Sequence, residues 1–140
     1  MRSPTQHSLL DQLPNEVDAL LRPVLHLVTL TPGQVLFAAG HTVSWVYFPV
    51  TALVDELWPS SPGTTLVLRQ VDARAMAGSC VMGDARAPRT ARVSQAGEAY
   101  RMAYDDFSRA LDQVPAFREL VLQDTAQALV VAAIQIPQAD

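Results

Sequence analysis

A chain of 140 residues, 49% of them apolar, is long enough for one hydrophobic core and short for two, so a single domain over residues 1–140 is expected. The net charge of −4 offers no basic face to a nucleic-acid backbone. All ten basic residues are arginine, which excludes a lysine nucleophile, a lysine Schiff base and a P-loop. The one cysteine, Cys80, can close no internal disulfide and cannot alone hold a structural zinc or an iron–sulfur cluster, so a reducing, cytoplasmic setting is expected. Residues 1–12 lack a charged segment followed by an apolar core, and no apolar run is long enough to span a bilayer. The expectation is a soluble protein without membrane association.

Leu9, Leu10, Leu13, Val17, Leu20 and Leu21 recur at helical spacing. They predict an amphipathic N-terminal helix over about residues 8–22, with Pro14 tolerated in a first turn and Pro23 ending it. From Val24 the period becomes two: Val24, His26, Val28 and Leu30 alternate with Leu25, Leu27 and Thr29, and Thr31-Pro32-Gly33 makes a turn. Short strand-like segments follow at 35–38, 45–48, 52–58, 64–71, 92–94 and 100–103. They are punctuated by Gly33, Gly40, Ser60-Ser61-Pro62-Gly63 and Gly97. No crossover helix fits between them, so residues 24–103 are expected to form a small roll rather than a parallel sheet.

After Met102 the helical period returns with Phe107, Ala110, Leu111 and Val114, and Pro115 stops one helix and can open another. Helices are expected over residues 104–136, the last from about 116 to 134. One of its faces carries Leu122, Ala126, Leu129, Ala133 and Ile136, and the adjacent one Val121, Thr125, Ala128 and Ala132. Two apolar stripes exceed what packing on the chain's own roll requires, which points to a homodimer through this C-terminal helix. A helix buried in a crowded monomer is the alternative. The fold class is mainly β with flanking helices: a double-stranded β-helix, or jelly-roll-like β-roll, with an N-terminal helix and a long C-terminal helix.

Residues 78–93, Gly-Ser-Cys-Val-Met-Gly-Asp-Ala-Arg-Ala-Pro-Arg-Thr-Ala-Arg-Val, combine a glycine at a helix start with a Pro-Arg-Thr-Ala segment that re-enters a strand. Backbone phosphate sites are commonly built this way. A helix, a roll containing Leu30-Thr31-Pro32-Gly33-Gln34-Val35-Leu36-Phe37-Ala38-Ala39-Gly40, then Tyr47-Phe48-Pro49 and two closing helices resemble the cyclic-nucleotide-binding-domain superfamily. Within it the chain is most similar to the sensor domain of bacterial catabolite-activator and fumarate-nitrate-reduction type transcription regulators, over about residues 9–135.

The resemblance implies a ligand cassette in which Gly-Glu at a helix start takes a ribose hydroxyl and Arg-Ser/Thr-Ala takes a cyclic phosphate. Gly78 and Arg89-Thr90-Ala91 match, but Ser79 stands where the glutamate is expected. A hydrogen bond to a charged group contributes roughly 1.5 to 3 kcal/mol, so this replacement should weaken a cyclic nucleotide by about 10- to 150-fold. Arg89 keeps the fork that suits a phosphate or carboxylate, and helix-start amides at Ser79 and Cys80 would add donors. The implied ligand is a cyclic nucleotide or another small anion, and no cofactor is otherwise indicated.

Upstream, where similar regulators carry Val-Gly-x-Glu-Gly-Met-x-Gly, this chain reads Val71-Asp72-Ala73-Arg74-Ala75-Met76-Ala77-Gly78. Asp72 and Ala75 replace turn glycines, so a different loop geometry is expected. The family's DNA-reading helix-turn-helix domain is not expected in this chain, and neither is direct DNA binding.

The ligand-binding set is therefore Gly78, Ser79, Cys80, Arg89 and Thr90. Arg89 is alternatively a surface arginine paired with Asp84 or another acid, and Ser79 and Thr90 could simply cap or line a turn. Cys80 could be a redox-sensing thiol or a buried inert one. His7, His26 and His41 lack metal-site spacing, Trp45 and Trp58 read as core or edge residues, and Arg86, Arg89 and Arg92 as an anion pocket or solvated rim. No nucleophile–base or paired-carboxylate pattern supports an enzyme. Three functions remain: a regulatory sensor of a small anionic or nucleotide-like ligand, signalling through a dimer helix; a ligand-free scaffold for dimerisation or another protein partner; and a thiol redox sensor at Cys80.

Overall fold

The computed structural model describes residues 5–61, 64–78 and 86–135, with side chains except at 59–61, 64–65 and 129–135. The N-terminal helix is not continuous. It is divided into α1 (Ser8–Asp11) and α2 (Asn15–Leu21), followed by a 3-10 turn at Arg22–Val24. Proline disfavours helical backbone at the residue before it and has no N–H for the ladder. Pro14 therefore splits the leucine pattern, taking an extended ψ of 154° and preceding α2 as its cap. The apolar spacing persists across the break: Leu10, Leu13 and Leu21 are all buried.

Among the described residues seven strands follow: β1 (Leu25–Leu30), β2 (Val35–Phe37), β3 (Trp45–Pro49), β4 (Leu53–Ser61), β5 (Thr64–Val71), β6 (Thr90–Gln95) and β7 (Gly97–Ala103). They form a three-stranded sheet in the order β1-β7-β3 and a four-stranded sheet in the order β2-β6-β4-β5. Every pairing between them is antiparallel. The turns at Gly33 and Gly40 fall where the sequence places them.

Two helices close the fold, α3 (Tyr104–Gln113) and α4 (Pro115–Gln135). Pro115 has no N–H to continue α3, and its fixed φ suits the first position of the next helix. α3 buries Phe107 and Ala110, and α4 buries Phe117, Val121 and Ala128. The rings of Phe107 and Phe117 meet edge-on at 5.8 Å, and Phe117 lies 6.5 Å from Phe48 of β3. Burial of each phenylalanine contributes roughly 1.5–3 kcal/mol, enough to dock both helices against the roll. Among the described residues, no helix is long and apolar enough to cross a membrane.

Candidate functional site: a buried charge cluster at the cassette

The cassette is entered through residues 72–78. Asp72 accepts the Arg74 backbone N–H at 2.9 Å, and Ala75 donates to the Asp72 carbonyl at 3.2 Å. The aspartate side chain thus supplies the turn that glycine was expected to need, and neither Asp72 nor Ala75 takes a positive φ. Ala77 then exchanges two backbone hydrogen bonds with Tyr47 of β3. Gly78 has φ +110°, and a Cβ there would stand 2.8 Å from Cγ1 of fully buried Val46. Glycine is required at this point by backbone conformation and by close approach.

Ser79 and Cys80 lie outside the described residues, as does Asp84. On the far side of the cassette, Arg86 to Thr90 is joined to the Gly40 turn: Gly40 donates to the Ala87 carbonyl at 2.7 Å and Ala87 to the His41 carbonyl at 2.9 Å. The Thr90 hydroxyl accepts the Ala39 N–H at 3.0 Å, so its role here is to hold that turn. Arg86 and Arg92 are exposed while Arg89 is buried. The three arginines therefore do not form one rim.

Arg89 is placed inside the roll, where its Nη2 lies 3.6 Å from Oε1 of Glu56. The same oxygen accepts a hydrogen bond from Nε of Arg69. Arg69 turns its other nitrogens to α4, with Nη1 and Nη2 at 3.3 and 3.1 Å from the two carboxylate oxygens of Asp124. Its Nη2 also donates to the Met76 carbonyl at 2.9 Å. Exposure of these four side chains runs from 1% for Asp124 to 9% for Arg69. A lone ion here would lose several kcal/mol of hydration. Two carboxylates against two guanidiniums leave the cluster neutral, and the fork of Arg69 reads Asp124 in two-pronged geometry. Burial opposes its charge, but Glu56 and Asp124 together hold the Arg69 guanidinium above its usual range.

The strands explain how these residues converge. Glu56 is in register with Arg69 on β5 and with Ala91 on β6. The β4–β5 register slips between Glu56 and Leu57, leaving Leu68 as the extra residue, and such a bulge re-aims side chains. Leu68 is fully buried while its neighbour Arg69 reaches Glu56. Asp124 comes inward because it is in helical phase with Phe117, Val121 and Ala128.

Sequence reasoning found Arg89 but missed Glu56, Arg69 and Asp124. The available signals were phase signals: Glu56 is in step with buried Ala52 and Val54, and Asp124 with the apolar stripe of α4. A surface groove of about 380 Å³ opens beside the cluster, lined by Arg69, Gln70, Asp72, Arg74, Ala75 and Gln127. Its exposed cation, Arg74, is matched by Asp72 at 2.9 Å. The groove therefore has no excess positive charge with which to hold an anion.

No family model and no curated protein matches the chain. Solved structures do match. The N-terminal domain of a transcriptional regulator from Streptomyces coelicolor is 21% identical, with a TM-score of 0.64 over 93% of this chain and 92% of that one. A cyclic nucleotide-binding domain from Methylobacillus flagellatus is 15% identical, with a TM-score of 0.69 over 92% and 76%. The catabolite activator protein of Thermus thermophilus is 15% identical, with a TM-score of 0.73 over 90% of this chain and 60% of that longer one. At these identities the likeness speaks to architecture, which agrees with the expected β-roll: the chain has the fold of a cyclic nucleotide-binding domain and of a transcriptional regulator's N-terminal domain.

Proposed function

We propose that this chain is a regulatory dimerisation module of the sensor-domain type whose cassette is occupied internally, so that it works without a bound nucleotide. The observation that carries this reading is Glu56. Its carboxylate stands against Arg89, the residue that the family resemblance assigns to a phosphate, and bridges through Arg69 to Asp124 on α4. In a ligand-driven sensor the occupied pocket and the signalling helix communicate when ligand binds. Here a side chain of the roll makes that connection permanently. An incoming anion would have to displace from Arg89 a carboxylate that is already buried and doubly engaged, and it would set a second negative charge beside Glu56 in the interior.

The outward face of α4 supports dimerisation. Leu122 is 49% exposed and Ala126 is exposed, while Phe117, Val121 and Ala128 of the same helix are buried against the roll. Val121 and Ala128 of one apolar stripe are therefore covered by the chain itself, Leu122 and Ala126 of the other are available to a second copy, and the side chains of Leu129, Ala132, Ala133 and Ile136 lie outside the described residues. The likeness to a transcriptional regulator's N-terminal domain supports a regulatory rather than catalytic role.

Titration calorimetry of the native chain with cyclic AMP, cyclic GMP and cyclic di-GMP tests the reading. No saturable heat is expected. Micromolar binding that disappears in Arg89→Ala would overturn internal occupancy and restore the small-anion sensor.

A further inference from the structure

We propose that residues 5–8 form a pH-operated latch over the turn that leads into the cassette, with His7 as the group whose protonation opens it while Leu10 and Leu13 stay anchored in the core. This inference is independent of whether the cassette takes a nucleotide. His7 is fully buried, and its Nε2 lies 2.6 Å from the Ala75 carbonyl oxygen. A carbonyl only accepts, so Nε2 carries the hydrogen. The other ring nitrogen, Nδ1, is buried with no hydrogen-bond partner among the described residues. The closed form thus requires the neutral imidazole with its hydrogen on Nε2. A second proton would put an N–H donor into a space that offers it no acceptor there.

The groups around His7 come from every element packed on it. Asp11 faces it from α1, Asp72 from the turn after β5 and Asp124 from α4, and all three favour a charged imidazole. From β3 it meets the ring of Phe48 edge-on at 5.4 Å. Burial outweighs the Ala75 hydrogen bond and the three carboxylates and keeps the ring's pKa below its ordinary value. The contribution of the closed form is therefore complete above the unfolded histidine's pKa, about 6.5. It is lost as pH falls below that value, because the opened segment binds the proton more readily.

The segment is poised to open. Gln6 has φ +65°, a strained conformation for a residue with a side chain. It is held by the Asp11 carboxylate, which accepts the Thr5 N–H at 2.8 Å, the Thr5 hydroxyl at 2.6 Å and the Gln6 N–H at 3.2 Å. Beyond His7, one backbone bond fastens the segment to the turn, from Ser8 N–H to the Ala73 carbonyl at 2.7 Å. That turn also presents the Met76 carbonyl to Arg69 and pairs Ala77 with Tyr47. Opening would thus uncover the loop immediately before Gly78.

Hydrogen–deuterium exchange of the full chain tests this, at about pH 7.5 and about pH 5.5 after correction for intrinsic rates, with a β7 peptide as internal reference. Exchange in residues 5–8 should rise by up to about tenfold, relative to β7, at the lower pH. His7→Gln keeps an amide donor for Ala75 but cannot titrate, and should lose the rise. Asp11→Asn should exchange faster at both pH values yet keep it. An equal rise in His7→Gln, or none in the native chain, would overturn the latch. Should His7→Gln open the segment at every pH, the native chain still decides. Its exchange must begin to rise as pH falls below about 6.5 and level off where the native His7 ring titrates by NMR, and a rise unrelated to that titration would reject the proposal.

Discussion

Two buried polar groups flank the path from the N-terminus to α4, and they solve the same problem in opposite ways. At the cassette, Glu56, Arg69, Arg89 and Asp124 keep full charges inside the fold by pairing them, two against two. At the latch, His7 is buried as a neutral ring with one nitrogen satisfied and the other without a hydrogen-bond partner among the described residues. Interior charge is tolerable when each ion has an opposite partner, and otherwise the group gives up its charge. Although burial opposes it, the Arg69 guanidinium is held above its usual range by Glu56 and Asp124 and keeps its charge near neutrality. The neutral histidine should respond. One fold thus holds a fixed connection between roll and helix beside a connection that acid can loosen.

The largest effect is expected from breaking the cluster. Glu56→Ala removes the carboxylate that faces Arg89 and Arg69 in the interior and should destabilise the chain by about 3–5 kcal/mol, the usual consequence of removing one partner from a buried ion pair. Urea unfolding measures it, and a loss below about 1 kcal/mol would place the pair in the weak class of exposed bridges.

A smaller effect is expected at the hinge between the two groups. Gly78→Ala would require a side chain at φ +110° and a Cβ 2.8 Å from Val46 Cγ1. Overpacking and backbone strain together predict a loss of roughly 1–3 kcal/mol in the same unfolding experiment. An unchanged midpoint would mean that the turn relaxes freely and does not fix the Met76 carbonyl for Arg69.

The smallest effect on the monomer separates the two faces of α4. Leu122→Glu lies opposite the face that carries Asp124 and should change monomer stability by no more than about 0.5 kcal/mol. It should nevertheless abolish dimers seen by sedimentation equilibrium. Dimers that survive it would relocate the interface.

Much of this architecture was legible in the sequence, because it rests on local patterns. The strand segments, the Gly33 and Gly40 turns, the helix change at Pro115 and the stripe containing Val121 and Ala128 all follow from spacing and turn chemistry. The break at Pro14 was less legible, since the leucines keep helical spacing across it while the backbone does not. The cluster was hidden for a different reason. Glu56 occupies an inward strand position that charge alone would send to solvent, and only Arg69 and Arg89, delivered by other strands, reverse that preference. His7 is a stronger case: its acceptor at Ala75 is 68 residues away in sequence, and no local pattern announces it. Arg89 was identified by motif, but its occupant was not.

The most direct test of internal occupancy is chemical rescue. Glu56→Ala removes the carboxylate and leaves space for a small one, whereas Glu56→Gln removes the charge and fills the space. A ligand that binds only the folded state raises the melting temperature. Acetate at constant ionic strength is therefore expected to raise the melting temperature of Glu56→Ala well beyond any change in the native chain or Glu56→Gln. An equal response in all three proteins would contradict the claim that Glu56 fills the place of an anion beside Arg89.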